Sequence, residues 1–270
     1  MATRAVVYFL FNHSKFYWNL NIQSAQSIKK CMPDIRTHLI APDNERLRKQ
    51  IEPWIDEFTI VEKMTEERAT PWPRKFEELI KLNYDQMMFL DSDTYMVEPC
   101  YELFDMLDHF DVVSTLEHHY VTGSSKIPIS FPQLNLGMFL WNKTEELDML
   151  FQQTADMVRK RKKGSDQPYF RVALYHSKIR YAVVPWEYNC HYKYPGYLFS
   201  TAKIIHSDSS SLGLPADEKI LNKRAYPDYP PYKRIYDGER LYLLKKRIAR
   251  RTSPLEMVEM IPYRGPDAKS

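Results

Sequence analysis

Four apolar residues, Met87-Met88-Phe89-Leu90, run directly into Asp91-Ser92-Asp93. A run this short and apolar on both faces reads as a strand buried in the middle of a mainly parallel sheet. The abrupt change to two carboxylates puts them at the carboxyl edge of that sheet, where open α/β folds bind their ligands. Two hard oxygen donors one residue apart suit Mg²⁺ or Mn²⁺ carrying a diphosphate. Acidic residues also follow strands as plain solvated turn formers, so the rest of the chain has to decide.

The pattern around this strand is repetitive. Ala5 to Phe11, Thr37 to Pro42 and Phe58 to Val61 read as strands, separated by helical spacing over Tyr17 to Lys30 and a charged helix over Asn44 to Gln50. That β-α-β-α-β start is the order of a nucleotide-binding half. Helices are expected over Lys75 to Leu82, Leu103 to Leu107 and Thr144 to Lys162, with another after Ser165-Asp166-Gln167-Pro168. Extended segments are expected at Thr94 to Pro99, Asp111 to Ser114, Leu134 to Trp141, Ile179 to Val184 and Lys203 to His206, and a mobile loop over Gly123 to Pro132. The expected fold is α/β, a single Rossmann-like domain with a mixed, mainly parallel sheet and helices on both faces. It would occupy residues 1–225. Residues 226–270 are a Pro/Tyr-rich segment followed by a helical extension over Glu239 to Arg251, where five cations surround Leu241, Leu244 and Ile248.

Composition narrows the function. A formal charge of +3 on 270 residues is too small for a dedicated nucleic-acid binder. Glycine is scarce, at 7 residues, and no glycine-rich phosphate loop occurs, so metal, lysines and backbone would have to hold any phosphate. Cys31, Cys100 and Cys190 are odd in number and widely spaced, against a disulfide framework or structural zinc and in favour of a reducing, cytoplasmic setting. No apolar stretch approaches the roughly 20 residues that span a bilayer.

Several motifs then agree. Lys75 precedes Asp91 by sixteen residues; Phe89-Leu90-Asp91-Ser92-Asp93 follows; then come Leu134-Asn135-Leu136-Gly137-Met138-Phe139-Leu140-Trp141-Asn142, Ser165-Asp166-Gln167 and the strand Lys203-Ile204-Ile205-His206. Over residues 5 to 208 the chain resembles the nucleotide-diphosphosugar glycosyltransferases of the GT-A fold, in particular the glycogenin-like and galactinol-synthase-like branch. The resemblance implies a metal site of Asp91, Asp93 and His206, usually for Mn²⁺, and a nucleotide-sugar donor, UDP-glucose or UDP-galactose. It implies donor contacts from Lys75 to phosphate, from Asp91-Ser92-Asp93, and from Asn12 and Tyr17 to the base, the last pair after a small insertion. Asn135, Asp166 and Gln167 would be the catalytic, sugar-facing set, and anomeric configuration would be retained.

Each assignment has an ordinary counterpart. His206 also reads as a strand-end histidine bonded to backbone, Lys75 as a solvated helix lysine, and Asp166 as a helix N-cap ahead of Pro168. After His206 the family commonly runs to a glycine and a lysine beside a Pro-Trp pair; here Ser207 to Gly213 follows and that lysine is absent, leaving Lys219 or Lys223 as substitutes. The stretch between Asp93 and Asn135 is longer than in glycogenin and holds His118, His119 and Tyr120, where the acceptor preference for a carbohydrate, protein or lipid-linked partner would lie. The basic C-terminal helix reads either as a solvated helix packed on the domain or as a peripheral membrane contact. The rival functions are a nucleotidyltransferase making sugar nucleotides, although the first strand is not followed by glycines, and a non-catalytic nucleotide-sugar or carbohydrate-binding protein. A haloacid-dehalogenase-type phosphohydrolase is disfavoured because Tyr95 stands where its motif needs Thr or Val.

Overall fold

The computed structural model describes residues 2–11, 15–62, 71–117, 127–161, 165–191, 200–206, 240–242 and 262–264. In chain order the elements are β1 (Arg4–Phe9), α1 (Lys15–Cys31), β2 (Arg36–Pro42), α2 (Glu45–Ile51), β3 (Glu57–Val61), α3 (Trp72–Ile80), β4 (Gln86–Leu90), β5 (Thr94–Met96), α4 (Glu102–Asp105), β6 (Val112–Leu116), β7 (Leu134–Asn142), α5 (Glu145–Arg161), α6 (Gln167–Tyr175), β8 (Tyr181–Val183), β9 (Cys190–His191), β10 (Ile204–His206), β11 (Arg240–Tyr242) and β12 (Pro262–Arg264). The main sheet has the order β3-β2-β1-β4-β7-β6-β8, and β5-β10-β9 form a smaller one. All main-sheet neighbours are parallel except β7, which runs antiparallel to both β4 and β6. The expected mixed, mainly parallel sheet is present.

Both faces of β4 are covered, which is why its sequence is uniformly apolar. Met88 and Leu90 join Val6, Tyr8 and Leu140 against Trp18 and Ile28 of α1 and Phe104 of α4. Met87 and Phe89 point the other way, with Val7, Phe139 and Trp141, onto Phe76 of α3, Phe151 of α5 and Phe170 of α6. The aromatic side chains of this second layer interlock, with Phe76–Phe151 and Phe89–Phe139 centroids each 5.4 Å apart. Each fully buried ring removes enough apolar surface to contribute about 2–3 kcal/mol.

In β7 the alternation changes parity. Leu134 and Leu136 face the same layer as Phe139 and Trp141, so an extra residue is accommodated around Gly137. The β6–β7 ladder shifts register there, between Ser114 and Leu116. Such bulges re-aim side chains at sheet rims.

The extended segment expected after Asp93 is present as Thr94–Met96, which leaves the main sheet and pairs with β10, since the turn at Asp91-Ser92-Asp93 redirects the chain. Two expectations need correction. The described part of the loop expected to be mobile, 127–132, is tied down by the buried Arg171 of α6, which donates to the carbonyls of Pro128, Ile129 and Phe131. The C-terminal helix does not begin at Glu239, because Arg240–Tyr242 is a strand paired antiparallel with Pro262–Arg264. An Arg-Leu-Tyr step satisfies a two-residue period as well as a helical one, and pairing with distant residues decided between them. The rest of that segment lies outside the described residues, and nothing in the described residues supports membrane contact. No helix among the described residues is long and apolar enough to cross a membrane.

Candidate active site

The carboxyl edge of the sheet gathers residues far apart in sequence. Asp91 follows β4, and its backbone N–H donates to the Gly137 carbonyl at 2.8 Å, locking the end of β4 onto β7. Its own carbonyl accepts from the N–H and Oγ1 of Thr94, closing the turn that carries Ser92 and Asp93. β10 then delivers the histidine, for the β5–β10 register sets His206 opposite Thr94, one residue beyond Asp93. His206 Nε2 lies 3.4 Å from Asp93 Oδ1 and 3.8 Å from Asp91 Oδ2. One ligand atom from each of Asp91, Asp93 and His206 falls within 4.8 Å of the others.

The charges in this cluster oppose one another. Desolvation at the floor of the site pushes the Asp91 carboxyl up to about 6; the His206 charge opposes this and Asp93 adds to it. Burial alone would lower the His206 imidazole, but Asp93, by charge and hydrogen bond, and Asp91 raise it to about 9. Two carboxylates and one imidazole are a donor set that Mn²⁺ accepts, being more tolerant of nitrogen than Mg²⁺. Space is available too: a Cβ added at Gly137 would come within 2.4 Å of His206 Cε1 and 2.6 Å of Asp91 Oδ2. The residues present fit a divalent cation, and the glycine at the bulge keeps their approach open.

Lys75 and Asp166 form a second unit. Lys75, on the first turn of α3, is 2 % exposed, and its ammonium pairs with Asp166 Oδ2. The rings of Trp72, Phe76 and Phe89 surround it, with centroids 5.2, 5.0 and 4.9 Å from Nζ. This is not a solvated helix lysine. Asp166 likewise does not cap α6 through its side chain; its backbone carbonyl accepts from Tyr169 and Phe170, and its carboxylate is held by Lys75. Both charges bear on the titration of Asp91, so the pair adjoins the cluster.

Asn135, at the start of β7, is buried; its Nδ2 donates to Glu117 Oε2 at 2.9 Å and its Oδ1 accepts from Gly137 N–H at 2.8 Å. Gln167 is half-buried and receives a long 3.4 Å contact from Gln133 Nε2. Tyr17 stands on the first turn of α1, partly exposed, 6.1 Å from the Phe11 ring, which in turn is 6.4 Å from Trp72. Asn12, His118, His119, Tyr120, Lys219 and Lys223 lie outside the described residues. A cleft of about 460 Å³ lined by Asp111, Thr144, Ile179 and Arg180 opens at the other edge of the sheet and contains none of the predicted residues.

Sequence reasoning missed three members of the site. Glu117 ends the strand-forming run Val112-Val113-Ser114-Thr115-Leu116 much as Asp91 ends Met87 to Leu90, but with Ser114 and Thr115 inside that run the strand-end signal is weaker. Asn189 and Thr115 carry no such signal; they are fully buried, and Asn189 bonds His206 Nδ1 at 2.9 Å. A further chain, Tyr8 OH to Ser24 Oγ to Thr94 Oγ1 at 3.0 and 3.1 Å, fixes α1 against the turn.

Residues 63–204 match the family model described as nucleotide-diphospho-sugar transferase. Comparison with curated proteins by sequence finds no match. In fold the chain is similar to the galactosyltransferase LgtC, solved in complex with donor and acceptor sugar analogues, at 13% identity and a TM-score of 0.60 over 82% of this chain and 95% of that one. It is also similar to the glycosyltransferase GlyE of Streptococcus pneumoniae TIGR4, at 15% identity and a TM-score of 0.55 over 83% of this chain and 61% of that one. Mouse xyloside xylosyltransferase 1 aligns at 13% identity and 0.52 over 79% and 99%. At such identities the likeness is one of fold.

Proposed function

Since the chain belongs to the nucleotide-diphospho-sugar transferase family and is a glycosyltransferase of the GT-A fold, we propose that it moves a hexose from UDP-glucose or UDP-galactose to an acceptor hydroxyl, using Mn²⁺ held by Asp91, Asp93 and His206. The observation that supports this most is the convergence of those three side chains from two separate segments, beside a glycine whose missing Cβ keeps the cluster open. A divalent cation there supplies fixed positive charge to the leaving diphosphate. Asp166, oriented by its ion pair with Lys75, is the group assigned to steady the positive character that develops at the anomeric carbon; Asn135 and Gln167 orient the sugar hydroxyls, and Tyr17 lies against the base. Lys75 therefore acts through Asp166, and any second phosphate cation comes from elsewhere. Retention of configuration follows from the resemblance to the glycogenin-like branch. The transferase domain is assigned to residues 1–225 and the remainder, 226–270, to a following segment.

The test is a panel of nucleoside diphosphate sugars with Mn²⁺, read as nucleoside diphosphate release with and without acceptor. Release from one UDP-hexose, lost on chelation and lowered about a hundredfold or more in Asp93→Ala, a barrier increase of about 2.7 kcal/mol, is the expected result. Activity of Asp93→Ala equal to that of the wild type would sink the metal assignment. Tight binding of the nucleotide sugar with no turnover on any acceptor would make the protein a binder instead.

A further inference from the structure

Resting on the reading of Asp91, Asp93 and His206 as a cation site, we propose that Asn189 is a positioning residue: its amide fixes the ring orientation and tautomer of His206 and so sets how tightly the cluster holds a divalent cation. Asn189 ends the 3₁₀ turn Trp186–Asn189 and has no exposed surface. Directly after it, β9 pairs with β10, Cys190 opposite Ile205 and His191 opposite His206, so the backbone register brings Asn189 beside the histidine. Asn189 Oδ1 lies 2.9 Å from His206 Nδ1.

In the structure the Asn189 amide turns its oxygen, and not its NH₂, toward the imidazole. Asn189 Nδ2 donates to Thr115 Oγ1 at 3.0 Å, and Thr115, on β6, is fully buried. With the NH₂ engaged there, only a carbonyl oxygen faces the imidazole, and an oxygen accepts a proton but cannot donate one. The Nδ1 position must therefore carry the hydrogen. Nε2, which in the metal-free cluster shares its proton with Asp93, is then the nitrogen that gives up that proton to offer a lone pair to a cation in the space between Asp93 Oδ1 and Asp91 Oδ2, 3.4 and 3.8 Å away. The opposite tautomer would set a bare Nδ1 lone pair against the amide oxygen and point an N–H at the cation. Loss of a partner of this kind typically weakens metal affinity 10–100-fold.

A side chain that only filled space beside His206 would be replaced as well by leucine as by aspartate, both close in size to asparagine. The alternatives separate by titrating the metal-free, full-length protein with Mn²⁺ at one fixed pH, without donor, reading free Mn²⁺ by electron paramagnetic resonance. Wild type should bind and Asp93→Ala should not. Asn189→Leu is expected to bind at least tenfold more weakly, whereas Asn189→Asp, which keeps an acceptor at Nδ1, stays within about threefold of wild type or binds more tightly. Because Asn189→Leu leaves the Thr115 hydroxyl buried without its partner, Thr115→Val/Asn189→Leu removes both polar groups together and is measured beside it, with circular dichroism melts on every variant. Unchanged affinity in the folded leucine variants, or equal weakening by leucine and aspartate, overturns the proposal. Equal binding by wild type and Asp93→Ala overturns the cation site itself, and this proposal with it.

Discussion

The two edges of the main sheet treat the same residue type in opposite ways. At the amino edge, Asp85, Asp56 and Asp111 each stand just before a strand and clamp the start of its parallel neighbour. Asp85 accepts from Thr3 N–H and Oγ1 at 2.7 and 2.9 Å; Asp56 from Thr37 N–H at 2.7 Å and Lys29 at 2.6 Å; Asp111 from Arg180 N–H and Nη2 at 2.8 Å each. All three titrate below the ordinary carboxylate range, Asp85 through the Thr3 N–H and Asp111 through the Arg180 guanidinium. For Asp56, partial burial works upward but Lys29 and Thr37 outweigh it. At the carboxyl edge Asp91 is pushed up to about 6 instead. The chemistry of the sheet explains the contrast: the first residues of strands present backbone N–H groups that answer a carboxylate, whereas strand ends present carbonyls, which do not. Among the described residues, no backbone N–H reaches the Asp91 or Asp93 carboxylates. One edge is built for stability. The other holds charge that, on the function proposed above, a cation and a substrate would complete.

Asp166 is the sharpest test, because it belongs to the functional edge yet is paired as tightly as any carboxylate at the other. Asp166→Asn leaves the Lys75 ammonium, 2 % exposed, without its counter-charge, so a stability loss of about 3–5 kcal/mol is expected together with at least a tenfold fall in transfer. An amide acceptable as a helix cap does not rescue it, as the side chain is not the cap. Lys75→Met/Asp166→Leu should return most of the stability, because replacing a whole buried pair by apolar groups is often neutral, while leaving transfer low. Denaturant unfolding alongside nucleoside diphosphate release reads both. If the single variant kept its stability and lost only activity, Asp166 would belong with Asp91 and not with the clamps.

A smaller effect is expected at Gly137. Gly137→Ala drives a methyl into His206 and Asp91, and overpacking of this kind costs about 1–3 kcal/mol. Since both contacted groups are at the cluster, Mn²⁺ affinity should fall at least tenfold, and a melt without metal should fall only a few degrees. A variant that binds Mn²⁺ like the wild type would show that the glycine serves the bulge alone.

How much of this was legible follows from the same contrast. The sheet was readable because each buried strand is written contiguously, as in Val6 to Leu10 and Met87 to Leu90, and the closeness of Asp91, Asp93 and His206 because strand-end polar residues stand out against such runs. The Lys75–Asp166 pair was visible only as two separate residues with two separate roles; that one neutralises the other depends on α3 and α6 packing against the same face of β4, which no local pattern encodes. Asn189 and Thr115 were invisible for a related reason: asparagine and threonine in a turn and a strand are unremarkable until the turn ahead of β9 is brought against both β6 and β10. The helix expected at Glu239 failed because a three-residue pattern cannot choose between periods, and a partner twenty residues away, Pro262–Arg264, made the choice.

The weakest expected effect lies at the amino edge. Asp56→Ala removes the acceptor for Thr37 and Lys29, but the carboxylate is largely exposed and its ion pair is screened, so a loss of only about 1 kcal/mol is expected at pH 7, with transfer unchanged. The pH dependence fixes its origin. A folded-state pKa below the unfolded value means that the Asp56 contribution is fully present above the unfolded value and disappears as pH falls through the folded one. Wild type and Asp56→Ala should therefore differ at pH 7 and converge in stability below about pH 4, where the unfolded aspartate titrates, read by urea midpoints across that range in metal-free protein. A difference that persisted undiminished at pH 3 would assign the effect to packing and remove the electrostatic clamp from that edge, and a loss of transfer at pH 7 would mean that the two edges are not independent.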